Sequence, residues 1–335
     1  MTSSKHLEIK RNHHYVMAEH LRRWCPDRKN IWYTTPKGKV AYDSVKGLAK
    51  QEFFYKATIL PPHFPSMVKL LFRNSSPELK KQQERELETY LKIQLLHQLP
   101  IMKQNAEERD ASVKVLMCNS LENTHAHIER DARSVINSLA KGDFKALSNR
   151  ENLLNFLVYF GHQITRTRAF KDKGIASLEA VRKEVGHDHG IAETLSDGWW
   201  FVSFIFGMNI GWSLYVNREA YKHCLLLNVG EEDFITSDQP IVNIHPMAAR
   251  ASLTAPDDDA CDFFYAITPR VGFAINKSNA FSEGVSEVSE DFVSRANAEI
   301  AKHSQFNIFT TSEIQARTYR KLVNLRAKEI SSLRD

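Results

Sequence analysis

The segment from Gly198 to Asn217 contains no charged residue over twenty consecutive positions. A helix of this length without a polar face is stable either across a bilayer or inside a protein. Ser203, Asn209 and the three glycines of the segment dilute its apolar character. We therefore expect no membrane span but a helix buried in the core, so the rest of the chain must surround it.

The patterns on the two sides of this segment differ. From about residue 77 to 217, capping signals and apolar spacing predict a series of helices. After residue 217, short apolar and β-branched runs separated by turn residues predict a mostly antiparallel sheet. Near the N-terminus, residues 30–35 and 40–45 flank a Pro-Lys-Gly-Lys turn and predict a β-hairpin.

These elements together predict an α+β fold. A mostly antiparallel sheet combines the N-terminal hairpin with the C-terminal strands, and the large central helical region packs beside it. No linker rich in Pro, Gly or Ser divides the chain, so we predict a single discontinuous domain over residues 11–310. The capping patterns Ser148-x-x-Glu151 and Thr310-x-x-Glu313 predict two further helix starts, the second opening a C-terminal helix within residues 311–335.

The positive charge of the chain is concentrated at its beginning. The formal net charge is +5, and residues 1–50 hold 11 Lys and Arg against 4 Asp and Glu. A basic face attracts phosphates or nucleic acid, although a solvated basic surface is the other interpretation. The four cysteines are scattered and residues 1–20 lack an apolar core, so we expect a reducing, cytoplasmic location.

Two adjacent histidines, His13 and His14, lie in the basic segment. In an extended chain neighbouring side chains point to opposite faces, so only one of them enters a given site. A neutral imidazole is a common metal ligand and a natural general base near neutral pH. The alternative is that one histidine binds a backbone carbonyl and pins the N-terminal segment to the sheet.

Asp238 follows a predicted strand and precedes Pro240 by two positions. Strand ends are where a rigid scaffold presents functional side chains, so Asp238 is a candidate metal ligand or a group that orients a histidine. Ser and Asp before Pro also form turns by accepting hydrogen bonds from nearby backbone amides. Both interpretations stay open.

A central helix contributes a third polar group. Tyr159, Gln163 and Arg166 fall at positions i, i+4 and i+7 and line one helix face. Arg166 is suited to clamp a phosphate or carboxylate with two parallel hydrogen bonds. It is equally suited to a structural role, satisfying loop carbonyls or pairing with Asp238.

Several local patterns together resemble the bacterial family called domain of unknown function 4238. They are Asn12-His13-His14-Tyr15-Val16 with Leu21-Arg22-Arg23-Trp24, Ile31-Trp32-Tyr33, Gln163-x-x-Arg166-Thr167, Phe234-Ile235-Thr236-Ser237-Asp238-Gln239-Pro240, Pro269-Arg270 and Asn297. The resemblance spans roughly residues 11–310. Met17-Ala18 departs from the family pattern, which tends to Pro-Gln there. The family implies no activity, so the chemistry must come from the residue types.

The residue types favour two functions. The first is a metal-assisted hydrolase or nuclease that acts on a phosphate-containing substrate. Its predicted catalytic residues are His13, His14, Asp238 and Arg166, and its predicted substrate-binding residues are Tyr15, Gln163, Arg22 and Arg23. A divalent metal would bind His14 and Asp238. The second function is a non-catalytic module that binds nucleic acid or a protein partner, and the sequence leaves the oligomeric state open.

Overall fold

The computed structural model describes residues 8–98, 106–185, 190–249 and 258–332. Its α-helices are α1 (Ala18–Leu21), α2 (Phe64–Leu71), α3 (Pro77–Gln98), α4 (Ala106–Leu139), α5 (Arg150–Thr165), α6 (Arg168–Val185), α7 (Ile191–Asp197), α8 (Trp199–Val216), α9 (Glu290–His303), α10 (Glu313–Tyr319) and α11 (Leu325–Ser332). Its strands are β1 (Asn12–His14), β2 (Asn30–Thr34), β3 (Val40–Ser44), β4 (Lys50–Glu52), β5 (Lys222–Asn228), β6 (Thr236–Ser237), β7 (Ile241–Asn243), β8 (Phe263–Thr268), β9 (Val271–Asn276), β10 (Gly284–Val288) and β11 (Ile308–Thr310).

Helix α8 is the uncharged segment, and it packs backbone to backbone against α5. A Cβ atom built on Gly161 of α5 would lie 2.5 Å from both the Gly207 oxygen and the Gly211 nitrogen of α8. Among the described residues, α8 is the one helix long and apolar enough to cross a bilayer, and 56% of its apolar window is buried inside the molecule. The glycines let the two helices approach closely, so α8 sits in the core as the sequence predicts.

The strands confirm the α+β class but are divided among three sheets. A five-stranded sheet has the order β10-β5-β9-β8-β7, and a four-stranded sheet has the order β3-β2-β11-β6. The N-terminal hairpin β2–β3 therefore shares a sheet with β6 and β11 only, and most C-terminal strands form their own sheet. β1 and β4 form a separate antiparallel ribbon, which the sequence patterns did not predict.

The five-stranded sheet is covered on both faces. Along β5, Cys224 and Leu226 enter one hydrophobic cluster and Leu225 enters the other. Along β9, Ala274 belongs to the cluster of Cys224 and Leu226, and Phe273 belongs to the cluster of Leu225. Because side chains alternate across a strand, this sheet separates two cores, one of which contains the α8 aromatic residues and the other the α4–α5 face.

A buried chain of hydrogen bonds joins α5, β8, α1 and β6. The hydroxyls of Tyr159 and Tyr265 lie 3.0 Å apart, and the Tyr265 hydroxyl lies 3.0 Å from Nδ1 of His20. Nε2 of His20 is in turn 3.0 Å from Oγ1 of Thr236. Burial holds the pKa of His20 well below its ordinary value, so a neutral imidazole links the N-terminal segment to both larger sheets.

Three helix boundaries differ from the capping predictions. Asn149, not Ser148, caps α5 by accepting a hydrogen bond from the Asn152 amide at 3.0 Å. Ser312, not Thr310, caps α10. The predicted C-terminal helix is interrupted at Asn324, whose φ of 64° lies in the left-handed region. Residues 333–335 lie outside the described part of the chain.

The contact between α5 and α8 predicts the effect of Gly161→Ala. The new methyl group would collide with backbone atoms of α8, which cannot turn away as a side chain can. We expect a loss of about 1–3 kcal/mol in the free energy of unfolding, measured by urea denaturation. Gly47→Ala, at a position with nothing within 4 Å, is the control, and equal stabilities for the two variants would contradict this packing.

Candidate active site

The β1–β4 ribbon places the two adjacent histidines on opposite faces. His13 is buried, and its Nδ1 accepts a hydrogen bond from the Tyr55 amide at 2.8 Å. Nε2 must therefore carry the proton, and it donates to the Lys10 carbonyl at 2.9 Å. With both nitrogens occupied by backbone groups, His13 fixes the ribbon in place and is not free for the catalytic role predicted from the sequence.

His14 faces a cleft of about 310 Å³. One wall comes from the segment that runs from β1 into α1, and the other is a single face of α4. The cleft is lined by His14, Met17, Ala18, Glu19, Arg22, Glu122, His125, Ala126, Glu129 and Arg133. The α4 residues fall at i, i+3, i+4, i+7 and i+11, a spacing that brings side chains onto one helix face.

The imidazole of His14 is half-buried, and its nitrogens have no hydrogen-bond partner among the residues that the structure describes. Burial lowers the pKa of His14, and the cations Lys50, Arg166 and Arg22 lower it further, against an opposing effect of Glu129. His14 is therefore neutral at pH 7, with a nitrogen lone pair available to accept a proton.

Glu122 lies on the α4 wall of the same cleft, across from the wall that carries His14. Burial raises the pKa of Glu122 to about 7, although Arg166 and the backbone amide of His14 act in the opposite direction. Its Oε2 is buried without a hydrogen-bond partner in the described structure. Near neutral pH this carboxyl group is therefore protonated in a large fraction of molecules, and its proton has no internal acceptor.

His125 forms the floor of the cleft one helical turn from Glu122. Its ring packs against Tyr55 and His162 at centroid distances of 4.7 and 5.5 Å. Burial, with Arg166 and His162 adding to it, holds the pKa of His125 well below the ordinary value. Neither ring nitrogen has a hydrogen-bond partner among the described residues, and His125 contributes to the lining of the cleft.

Arg166, predicted to clamp an anion, is instead buried behind Glu129. The two side chains form an ion pair at 2.6 Å, and Arg166 also donates to Oε1 of Gln163 at 2.7 Å. Gln163 donates from Nε2 to the Tyr15 carbonyl at 2.9 Å. Arg166, Gln163 and Tyr15 thus form one internal chain, and the structure gives none of them contact with the cleft.

Asp238 holds a distant loop and does not line the cleft. Oδ1 accepts from the Gln305 amide at 2.8 Å, and Oδ2 accepts from the amides of Phe306 and Asn307 at 2.7 and 3.0 Å. Burial raises the pKa of Asp238 to about 6 against the effect of these three donors. Since its lone pairs already serve backbone amides, Asp238 is not placed as the metal ligand predicted from the sequence.

The two arginines of the N-terminal motif diverge. Arg22 lines the cleft and pairs with Glu19 at 2.8 Å. Arg23 points elsewhere and donates to Oδ1 of Asn137 at 2.9 Å. Of the residues predicted from sequence, the structure brings only His14 and Arg22 to the cleft. Nowhere in residues 8–98, 106–185, 190–249 and 258–332 do three or more His, Cys, Asp or Glu side chains form a metal-binding group.

Sequence reasoning missed Glu122, His125 and Glu129. Their spacing of i, i+3 and i+7 within a predicted helix was the available signal, because it puts two carboxyl groups and an imidazole on one face. His127, two positions beyond His125, lies on another side of the helix, where it is exposed and contacts Arg130.

The polar motif residues outside the cleft act as internal braces. Asn297 accepts a hydrogen bond from the Ile235 amide at 2.9 Å and donates to the Asp233 carbonyl at 2.9 Å. Arg270 donates to the Gly230 carbonyl at 2.7 Å. These contacts fix the segment that leads into β6, so this part of the sequence pattern serves the fold.

A comparison with protein families gives one match. The model described as "Protein of unknown function (DUF4238)" matches residues 12–313 of the 335. No curated protein and no solved structure shows a significant match.

The contacts of Asp238 predict that Asp238→Ala destabilises the protein. Three backbone amides of the loop at residues 305–307 would lose their acceptor inside the molecule. We expect a loss of about 3–5 kcal/mol in the free energy of unfolding, measured by urea denaturation. Asp131→Ala, at an exposed residue of α4, should cost little, and a similar small cost at Asp238 would refute its bracing role.

Burial of Glu122 predicts a pH-dependent stability. The pKa of Glu122 is about 7 in the folded chain and near 4.3 in an unfolded one. As pH rises from about 4.5 to 7 the unfolded chain loses this proton first, so the stability contributed by the group falls. Glu122→Gln should therefore gain about 1–2 kcal/mol relative to wild type between pH 4.5 and 7.5 in urea denaturation. Glu88→Gln, at an exposed carboxylate of α3, should show no such gain.

Proposed function

The chain belongs to the DUF4238 family of proteins of unknown function, and from its cleft we propose that it is a hydrolase that acts on a phosphate-containing substrate by general acid–base catalysis. The observation that carries the proposal is that His14 and Glu122 line the same cleft. His14 is a neutral base whose side chain has no hydrogen-bond partner in the described structure, and Glu122 is an acid that keeps its proton in a large fraction of molecules near neutral pH. Two titratable groups held in opposite protonation states in one cleft are the usual arrangement for proton transfer.

Each group has one part in the reaction. His14 takes a proton from a water molecule whose oxygen forms a bond to phosphorus. The bond from phosphorus to the leaving oxygen breaks, and its electron pair stays on that oxygen, which takes the proton of Glu122. The products are an alcohol and inorganic phosphate from a monoester, or an alcohol and a monoester from a diester. The proton on His14 then returns to the Glu122 carboxylate through solvent, and the site is restored.

The charges around His14 support an anionic substrate. Lys50, Arg166 and Arg22 are the cations that lower the pKa of His14. The positive potential that disfavours a charged imidazole also attracts an anion to the same place. A phosphate ester brought there has its phosphorus close to the base that activates water.

A non-catalytic binding module is the second candidate function. Its support is the basic N-terminal segment, in which 11 Lys and Arg face 4 Asp and Glu over residues 1–50. On that hypothesis the cleft would bind its ligand without converting it. The absence of turnover with any phosphate ester, together with salt-dependent binding of nucleic acid, would decide in favour of the module.

The acid–base pair predicts a bell-shaped dependence of kcat/KM on pH. The rate should rise as His14 loses its proton below pH 6.5 and fall as Glu122 loses its proton at about pH 7. The measurement is the release of nitrophenol from aryl phosphate monoesters and diesters between pH 5 and 9.

Two substitutions test the assignment of the two limbs. His14→Ala and Glu122→Gln should each lower kcat/KM by about 10²–10⁴-fold, and Glu122→Gln should also remove the falling limb. His127→Ala and Glu88→Gln are the matched controls at exposed positions. Wild-type rates in both active-site variants would disprove the mechanism.

A further inference from the structure

We propose that the phosphate group that enters the cleft is a dianion, as in a phosphate monoester, and that Lys50 and Arg133 hold it from opposite walls. This inference rests on the proposed function of the cleft and names its substrate class. It rests on three observations. Some charged side chains at the cleft form ion pairs, Lys50 and Arg133 do not, and two residues of the lining have buried polar atoms without partners.

Lys50 stands beside His14 on the ribbon. The two residues are directly opposite each other in the antiparallel pairing of β1 with β4, and such residues project their side chains from the same face. Lys50 is half-buried and has no ion-pair or hydrogen-bond partner through its side chain in the described structure. Lys50 does not itself line the cleft, but among the charged groups it has the largest effect on the pKa of His14, and its flexible side chain extends from the face of the ribbon that presents His14 to the cleft.

Arg133 closes the opposite wall. It is the last residue of the α4 face that lines the cleft, two turns beyond His125. Its side chain is exposed and forms no ion pair with any carboxylate that the structure describes. A free guanidinium presents a planar set of donors that matches the oxygens of a phosphate.

The remaining arginines at this site are already neutralised. Arg22 pairs with Glu19 at 2.8 Å, and Arg166 pairs with Glu129 at 2.6 Å. Glu19 also contacts Arg28 at 3.2 Å. With His14 and His125 neutral, the charged groups at the cleft that have no ion-pair partner among the described residues are Arg133, the flanking Lys50 and the carboxyl group of Glu122. While Glu122 holds its proton, Lys50 and Arg133 offer two positive charges without a carboxylate partner, which a phosphate monoester dianion balances and a singly charged diester does not.

Two residues that line the cleft also have buried polar atoms without partners. Both ring nitrogens of His125 and Oε2 of Glu122 are buried without a hydrogen bond in the described residues. Buried polar groups are satisfied in the great majority of cases, so these three atoms, on two residues that line the cleft, call for a water molecule or a ligand as their partner. The His125 N–H and the Glu122 carboxyl proton are both donors, and phosphate oxygens are acceptors.

Calorimetric titration with methyl phosphate and dimethyl phosphate tests the charge requirement. At pH 6.8 in a phosphate-free buffer, methyl phosphate is largely a dianion and dimethyl phosphate is a monoanion. We expect methyl phosphate to bind wild type at least about tenfold more tightly. Its affinity should fall as Glu122 ionises at higher pH, because the added negative charge repels the ligand. Equal affinities for the two ligands would overturn the proposal.

Substitution of the two cations tests their placement. Lys50→Gln and Arg133→Gln should each weaken methyl phosphate binding by about 5–20-fold and leave the binding of dimethyl phosphate less affected. Lys46→Gln and Arg150→Gln remove exposed cations elsewhere and should match wild type. Three of the four substitutions are at exposed positions and Lys50 is half-buried, so circular dichroism should show an unchanged fold. Unchanged methyl phosphate affinity in the first two variants would overturn the clamp.

The outcomes for the clamp and for the hydrolase can be told apart. Hydrolysis of an aryl diester that depends on His14 and Glu122, without binding of methyl phosphate, would overturn the dianion clamp and keep the hydrolase. Binding of methyl phosphate that depends on Lys50 and Arg133, without turnover of any ester, would support the clamp and overturn the hydrolase.

Discussion

The buried charge of Arg166 is the constraint on which the site depends. A guanidinium that is 3% exposed loses its hydration, and only a close carboxylate with good geometry offsets that cost. Burial lowers the pKa of Arg166, but the Glu129 carboxylate together with Tyr55 and Tyr159 more than offsets it and raises the pKa overall. The Arg166 side chain also donates a hydrogen bond to Gln163. The backbone carbonyl of Arg166 accepts a hydrogen bond from the Tyr55 hydroxyl at 2.7 Å. One ion therefore fixes α4 against α5 and both against the N-terminal segment.

The cleft lies along the seam that this ion holds together. The amide of Lys10 donates to Oδ1 of Asn119 at 2.8 Å, and Asn119 donates to the Glu8 carbonyl at 2.9 Å, so the segment before β1 is fastened to α4. A base from one segment and an acid from another meet only because this docking is rigid. A site keeps its geometry when each of its side chains is held by neighbouring groups. The Arg166–Glu129 ion pair does so on the α4 wall, and the Arg22–Glu19 ion pair does so on the α1 wall.

The sequence allowed the fold class, the buried α8 helix and most element positions to be predicted, because these follow from local patterns. Alternation in an extended strand also implied that only one of His13 and His14 would enter a site, although the residue pattern did not say which. The structure decides it through Tyr55, which comes from 42 positions away. The role of Asp238 could not be predicted either, since its three amide donors lie nearly 70 positions downstream. Long-range docking determines burial, and burial determines which polar residues are left free.

The position of β11 in the four-stranded sheet has a consequence for how the protein is made. β11 lies between the hairpin strand β2 and β6, and the Ile308 amide binds Oγ1 of Thr34 across 274 positions. Chains are synthesised at roughly 5–20 residues per second, so the hairpin leaves the ribosome on the order of tens of seconds before its partner strand. During translation β2 carries an open edge of unpaired amides and carbonyls. The edge of β2 stays exposed until β11 has been synthesised. The rate of translation, and not the height of the folding barrier, therefore sets how long β2 can pair with a wrong strand.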